Sequence, residues 1–266
     1  MYSFDLVRPT SLAEASAALK KSGGKALAGG QSLVGAMKLR LARPETLVDL
    51  SQLAELKGIR KDGNAITIGA LSTHAEVAAS SVVKGAIPAL AALAAGIGDR
   101  QVRNLGTIGG SIAHNDPTAC YPAGVLALNA SIRTNARSIE ADAFFTGMFA
   151  TALGPGEIIT AISFPIPKKA AYVKFPNPAS RFALVGVFVA QTSNGVRVAV
   201  TGAATNVFRA AAIEAALAKS FTPDAAKATR IDTKGLNGDL HASPEYRAHL
   251  IPVIAARAVA AAAAAG

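Results

Sequence analysis

The sequence predicts an α+β protein built in two parts, and three observations carry that prediction. The N-terminal segment runs strand, glycine turn, helix, strand, an order that suggests parallel pairing. Near Ala65 the pattern changes to short strands alternating with short helices. Far downstream, Asn194-Gly195 sits between two apolar runs, which is a strong hairpin signal.

Taken in order, the apolar spacing predicts a helix over Ser11 to Lys21, with Thr10 or Ser11 as its N-cap. Lys25-Ala26-Leu27-Ala28 reads as a short buried strand ended by Gly29-Gly30, Gln31 to Arg40 as a helix, and Pro44 to Leu50 as a proline-started strand. Ala65 to Ile68 is a strand, Ser72 or Thr73 can cap a helix reaching Ser80, and Ile87 to Ala95 is a buried alanine-rich helix. After Gly96 the chain becomes rich in glycine and asparagine. Ala130 to Arg133 and Ser138 to Ala141 read as a hairpin, and Ile158 to Phe164 as the closing strand. Pro165-Ile166-Pro167-Lys168-Lys169 continues neither sheet nor helix and marks the boundary between residues 1–166 and 167–266. Beyond it, Ala171 to Phe175, Phe182 to Gln191 and Val196 to Thr201 make a three-stranded meander. Helices over Arg209 to Lys219 and Pro244 to Ala265 follow, the low-complexity run Ala260 to Ala265 being a fraying end.

Composition excludes several classes of function. With 266 residues, 51% of them hydrophobic, the chain can bury genuine cores. Its most apolar run, Ala255 to Gly266, contains Arg257, so no integral membrane segment is expected, and Asp5 stands where a secretory signal needs a basic region. The expectation is a soluble, cytoplasmic protein. Cys120, the only cysteine, cannot supply the thiolates of an iron–sulfur cluster, and no histidine pairs at metal-ligand spacing, so no metal is expected here. A net charge of +10 raises the question of nucleic acid. The basic residues are scattered and lack interleaved aromatics, which argues against it.

Two stretches carry the functional signal: Ala28-Gly29-Gly30-Gln31-Ser32-Leu33-Val34-Gly35 and Asn104-Leu105-Gly106-Thr107-Ile108-Gly109-Gly110-Ser111-Ile112-Ala113. Paired glycines let a backbone approach a phosphate and turn successive N–H groups toward it, while Ser32, Thr107 and Ser111 add hydroxyls. A helix starting at Gln31 would add its positive end. Two such loops on opposed segments can clasp a pyrophosphate. A Walker loop fails because Ala36-Met37 follow Gly35, and Gly96-Ile97-Gly98 lacks the third glycine of a dinucleotide fingerprint.

Those loops, together with Met37-Lys38-Leu39-Arg40, Gly98-Asp99-Arg100-Gln101-Val102-Arg103, Ile68-Gly69-Ala70-Leu71-Ser72-Thr73 and Ala113-His114-Asn115-Asp116-Pro117, resemble the FAD signatures of the medium subunits of molybdenum hydroxylases, the carbon monoxide dehydrogenase and xanthine dehydrogenase kind. Phe182 to Val187 and His241 to Arg247 extend the likeness to the C-terminal part. The resemblance implies a two-lobed FAD-binding domain of the vanillyl-alcohol-oxidase (PCMH) type, lobes roughly 1–56 and 57–166, followed by a three-stranded α+β domain. It implies an oxidoreductase subunit whose FAD delivers electrons to an acceptor. They would come from a small [2Fe–2S] subunit and a large subunit carrying the molybdenum cofactor, in a dimer of heterotrimers that can meet the inner face of the membrane through the complex. The large subunit would choose the substrate.

Carried over residue by residue, the pyrophosphate contacts fall on Ala28, Gly29, Gly30, Gln31 and Ser32, and on Thr107, Ile108, Gly109, Gly110 and Ser111, with Leu33, Val34 and Gly98 as secondary contacts. Asn115 is a candidate for the ribityl or adenosine part, or else an Asx turn before Asp116-Pro117. Cys120 stands where the family often has a ribose-binding aspartate; a thiol is a poor acceptor, leaving water or Asp116 to take over. Lys174 is a candidate cation for the flavin, or an exposed strand lysine. Ile158 either packs on the isoalloxazine or belongs to the core. Arg100 and Arg103 face either the iron–sulfur partner or the cofactor's phosphates. No side chain is expected to be catalytic, in the absence of a clear proton-transfer constellation. Two rival readings remain: a free-standing FAD-dependent oxidoreductase of the same fold, and a non-enzymatic basic binding protein.

Overall fold

The computed structural model describes residues 1–22 and 24–264. At the N-terminus, β1 (Asp5–Val7), β2 (Lys25–Leu27) and β3 (Thr46–Asp49) form a parallel sheet in the order β1-β3-β2. Parallel neighbours need crossovers, here the helices Leu12–Ser22 and Leu33–Lys38. Thr10 and Ser11 share the cap of the first: the Ser11 hydroxyl accepts from Glu14 N–H, and Glu14 accepts from Thr10 N–H at 2.8 Å. Two expectations need correction. β2 is an edge strand with Lys25 and Ala26 exposed, because β3 alone occupies the sheet centre. The helix expected from Gln31 begins at Leu33, since Gly30 (φ 69°), Gln31 and Ser32 are spent on the turn, and Arg40 (φ 61°) lies beyond its end.

The middle of the chain forms an antiparallel five-stranded sheet from β4 (Ile59–Asp62), β5 (Ala65–Gly69), β6 (Ser131–Thr134), β7 (Ser138–Glu140) and β10 (Ile159–Pro165), in the order β4-β5-β10-β6-β7. A small hairpin, β8 (Phe145–Gly147) with β9 (Ala150–Thr151), lies before β10. The helix His74–Ala79 is capped by Thr73 through a reciprocal box with Glu76. Three short helices fall where glycine-rich loop was expected: Arg100–Leu105, Ile108–His114 and Tyr121–Ala127. Their starts are set by local chemistry: Asp99 accepts from Val102 N–H at 2.8 Å and Thr107 from Gly110 N–H at 3.1 Å.

The last part is a four-stranded antiparallel sheet, β11 (Lys169–Pro176), β12 (Ala183–Thr192), β13 (Gly195–Thr201) and β14 (Phe208–Arg209). The two-residue β14 is an addition to the expected meander. The β12–β13 hairpin turns on Ser193-Asn194, with Gly195 (φ 114°) opening β13, one residue earlier than the sequence suggested. β12 is buried on both faces, and its side chains alternate accordingly. Val185, Val187 and Val189 join a core with the helices Ala211–Lys219 and Pro244–Ala264, while Phe188 and Ala190 join the core of the middle sheet and its helices. A short helix, Pro223–Lys227, was not legible in the sequence.

Pro244–Ala264 is long and apolar enough to cross a membrane by length and composition alone, and 61% of its apolar stretch is buried within the protein. Ala265, where the sequence placed its end, lies outside the described residues. This helix carries Arg247, 2% exposed, whose guanidinium donates to Leu184 O (2.6 Å), Gly202 O (2.8 Å) and Asp239 Oδ2 (2.6 Å).

Candidate functional site

The two glycine loops lie on different lobes and touch. The approach is closest at Gly29, where a Cβ would stand 1.9 Å from Leu105 O; on the other side, a Cβ on Gly110 would be 3.8 Å from that of Ala28. Gly29 is therefore glycine because a second backbone occupies the space a side chain would need.

The loops differ in what they leave free. Among the described residues, the N–H groups of Gly30, Gln31, Ser32 and Leu33 donate to no protein acceptor, and the Ser32 hydroxyl makes no cap bond although Ser32 precedes the helix. Gln31 and Ser32 are exposed and Gly30 and Leu33 half-buried, so this run of donors lies at the protein surface. Consecutive unspent amides at a turn form a concavity suited to an anion. In the second loop the amides from Ile108 to Ser111 are spent. Ile108 N–H donates to Ser72 O, Gly109 to Ala70 O, Gly110 to Thr107 Oγ1 and Ser111 to Thr107 O. That loop therefore offers hydroxyls and close approach rather than a row of amides. Its rigidity comes from β5 and the helix after it: Gly106 O accepts from His74 N–H at 2.9 Å, and Thr73 bridges Thr107.

His74 was not singled out from the sequence. Its ring is 5% exposed and lies against Gly106; burial first, then the Arg103 charge, pushes its pKa down to about 4, so it is a neutral strut at neutral pH. Nothing local in the sequence distinguishes it from the other three histidines.

The remaining candidates have defined places. Leu33 and Val34 are half-buried at the start of their helix, and Gly98 (φ 50°) turns the chain before Arg100–Leu105. Asn115 is 1% exposed in the left-handed conformation (φ 46°), and its Nδ2 lies within hydrogen-bond distance of Gly147 O (2.7 Å), Ala150 O (2.8 Å) and Asn206 Oδ1 (3.0 Å). It clamps the β8–β9 hairpin to the end of helix Ile108–His114 rather than forming an Asx turn. Asp116 accepts from the Thr118 amide and hydroxyl through one oxygen, Oδ1. Ile158 is 4% exposed and packs with Leu50, Leu53, Leu56 and Leu71. Lys174 is not a free strand lysine: its Nζ donates to Gly96 O (2.7 Å) and Arg181 O (3.0 Å) and stands 3.7 Å from Cys120 Sγ. Cys120 is buried beneath it.

Arg103 donates to Ile97 O and Gly98 O, fixing the Gly96 to Gly98 turn. With Arg100, Asn104 and the small side chains of Ala75, Ala78, Ala79 and Ala95 it lines an open groove of about 300 Å³.

The parallel N-terminal sheet and the antiparallel middle sheet thus bring two glycine loops into backbone contact, one of them with a row of free amides. A family described as "FAD binding domain in molybdopterin dehydrogenase" matches residues 2–167. The chain is 37% identical to the carbon monoxide dehydrogenase medium chain of Hydrogenophaga pseudoflava, over 85% of this chain and 84% of that one. It is 34% identical to the glyceraldehyde dehydrogenase medium chain of Sulfolobus acidocaldarius, over 96% of each. Among solved structures, a carbon monoxide dehydrogenase from Hydrogenophaga pseudoflava that lacks the Mo-pyranopterin moiety contains a chain superposing with a TM-score of 0.89. It is 35% identical and covers 99% of this chain and 98% of that one. The chain belongs to the FAD-binding medium subunits of molybdenum-hydroxylase-type dehydrogenases, components of multi-subunit oxidoreductases.

Proposed function

We propose that this chain holds FAD with its pyrophosphate between the two glycine loops and serves as the exit for electrons from a molybdenum hydroxylase. The observation that carries the reading is the row of four unspent amides from Gly30 to Leu33, set opposite the second loop at a contact only glycine permits. These donors, with the Ser32 hydroxyl, bind the diphosphate charge. Across from them, Thr107 and Ser111 supply hydroxyls, while Ile108, Gly109 and Gly110 form a floor whose own amides are satisfied. Ala28 and Gly29 shape the first loop, Gln31 closes over it, and Leu33, Val34 and Gly98 line its margins. FAD, when bound, supplies the chemistry of accepting electrons in one step and giving them up in another.

The residues of this chain bind, orient and shield; none is assigned a proton-transfer role. Lys174 brings a fixed cation to the Cys120 side of the site, where it favours negative charge on a flavin. Asn115 and Ile158 act from behind, one by anchoring the β8–β9 hairpin and the other by packing the seam between lobes.

Within this reading residues 1–166 form the FAD-binding domain and 167–266 a C-terminal domain. A small [2Fe–2S] subunit and a large molybdenum-cofactor subunit complete a heterotrimer that pairs with a second one in the cytoplasm. The relatives named for carbon monoxide and for glyceraldehyde differ by only a few per cent in identity to this chain, in keeping with a substrate chosen in the large subunit. The test is acid extraction and native pull-down. Release of about one FAD per chain and co-purification of a molybdenum polypeptide and an iron–sulfur polypeptide are expected. A chain that binds no FAD on reconstitution, or that turns over a substrate fully by itself, overturns the proposal.

A further inference from the structure

We propose that Cys120 and Lys174 are a site of covalent modification, forming a sulfur–nitrogen bridge when the protein meets hydrogen peroxide. The inference rests on three placements, none of which depends on where a flavin sits. Cys120 Sγ lies 3.7 Å from Lys174 Nζ, and the lysine is held there by Gly96 O and Arg181 O, so its long side chain has already lost most of its rotamer freedom. No other thiol exists in the chain, so a sulfenic acid at Cys120 has no internal disulfide to enter. The nucleophile stationed beside the sulfur is the Lys174 amine.

The third placement concerns the Tyr172 hydroxyl. This hydroxyl is buried and faces the Cys120 sulfur without a well-aligned bond. Burial, with the thiol beside it, holds the Tyr172 hydroxyl well above its usual range, so it remains a proton donor. A buried hydroxyl without a partner is costly, and an oxygen added to the sulfur gives the Tyr172 hydroxyl an acceptor.

The chemistry balances with peroxide as the only co-reactant. As the O–O bond breaks, sulfur gives two electrons and an S–O bond forms, leaving Cys120 as a sulfenic acid and releasing water. The Lys174 amine then attacks sulfur; the S–N bond forms, the S–O bond breaks, and hydroxide departs as water with a proton from the amine. Overall, one thiol, one ammonium and one peroxide yield one sulfenamide, two waters and one proton. The product ties the start of helix Tyr121–Ala127 to β11 and removes the lysine's charge.

The experiment treats the purified FAD-loaded protein with hydrogen peroxide and maps its peptides by mass spectrometry, using oxidation of Met148, which is 56% exposed, to show that the dose was sufficient. The expected result is a linked pair of peptides containing Cys120 and Lys174, lighter by two hydrogens than their sum and separated again by dithiothreitol. The variant K174R should abolish the link and let Cys120 advance to sulfinic acid. Wild-type protein that converts Met148 to its sulfoxide while Cys120 stays an unlinked thiol, or becomes sulfinic acid without linkage, overturns the proposal, and this readout needs no variant to fold.

Discussion

Replacing Gly29 by alanine tests the contact on which the candidate site depends. The new Cβ would lie 1.9 Å from Leu105 O, 2.6 Å from the Leu105 carbonyl carbon and 2.9 Å from Gly106 Cα. All three are backbone atoms, so no side chain can swing aside. To bring the first distance from 1.9 Å to at least 3.0 Å, the loops must part by about 1.1 Å. A displacement of that size costs roughly 1–3 kcal/mol when an interior is overpacked. It also misaligns donors whose hydrogen bonds need distances good to a few tenths of an ångström. If the whole cost falls on cofactor binding, FAD affinity drops by roughly 5- to 150-fold. Gly35 is the matched control: a Cβ there meets nothing within 4 Å, and the residue is exposed inside the helix Leu33–Lys38, so G35A should leave affinity unchanged and stabilise by roughly 0.5–1 kcal/mol. The assay is quenching of FAD fluorescence on titration with apoprotein, alongside thermal unfolding. Wild-type FAD affinity in G29A would refute the argument that the touching loops form the pyrophosphate clasp.

Other expectations follow from particular contacts. Stability should decline with acid in two windows. His74 has a folded pKa of about 4 against 6.5, so its contribution, of the order of a few kcal/mol, is complete above about pH 6.5 and is lost as pH falls toward 4. Glu157, held near 2 chiefly by its hydrogen bond to Arg137 and by those from Gly154 N–H and Thr134, contributes above about 4.5 and loses that contribution as pH falls toward 2. Urea midpoints measured against pH should show both declines, and H74Q should remove only the upper one; a wild-type midpoint flat between about pH 6.5 and 4 contradicts the assignment. R247M leaves Leu184 O and Gly202 O without their buried donor and should cost roughly 2–5 kcal/mol in urea unfolding, a loss under about 1 kcal/mol being incompatible with the clamp. N115G keeps the left-handed backbone but frees the β8–β9 hairpin, so limited proteolysis near Met148 and Phe149 should accelerate several-fold; unchanged cleavage would mean that the Asn115 side chain does not hold the hairpin.

Where a local rule governs, the sequence was legible. Thr73 capping His74–Ala79, the antiparallel hairpin around Ser193-Asn194, the alanine-rich helix Pro88–Ala95 and the parallel N-terminal sheet all follow from propensity and period. The paired glycines likewise announced a close backbone approach, although not to which partner. What was hidden was decided at a distance. The free amides of one loop and the spent amides of the other depend on Ser72 and Ala70 carbonyls that only the fold brings to Ile108 and Gly109. Lys174 looks like any strand lysine until Gly96 and Arg181, 78 and 7 residues away, present their carbonyls to it. The three helices after Gly96 are six or seven residues long, too short for a periodic pattern to emerge from glycine-rich text.

β12 has one further consequence. Because Phe188 and Ala190 point into the same apolar cluster as Leu90, Leu93 and Tyr121, while their neighbours Val187 and Val189 point into the other, the strand is a partition wall owned by both rooms. A chain severed at Pro165 to Lys169 would leave the first room open on one side, its helices facing water where β12 had been. The linker in the sequence is therefore a seam of composition and not of stability. Heating or denaturant should find one cooperative transition, and a subunit lacking its last hundred residues is expected to aggregate rather than persist as a smaller flavoprotein.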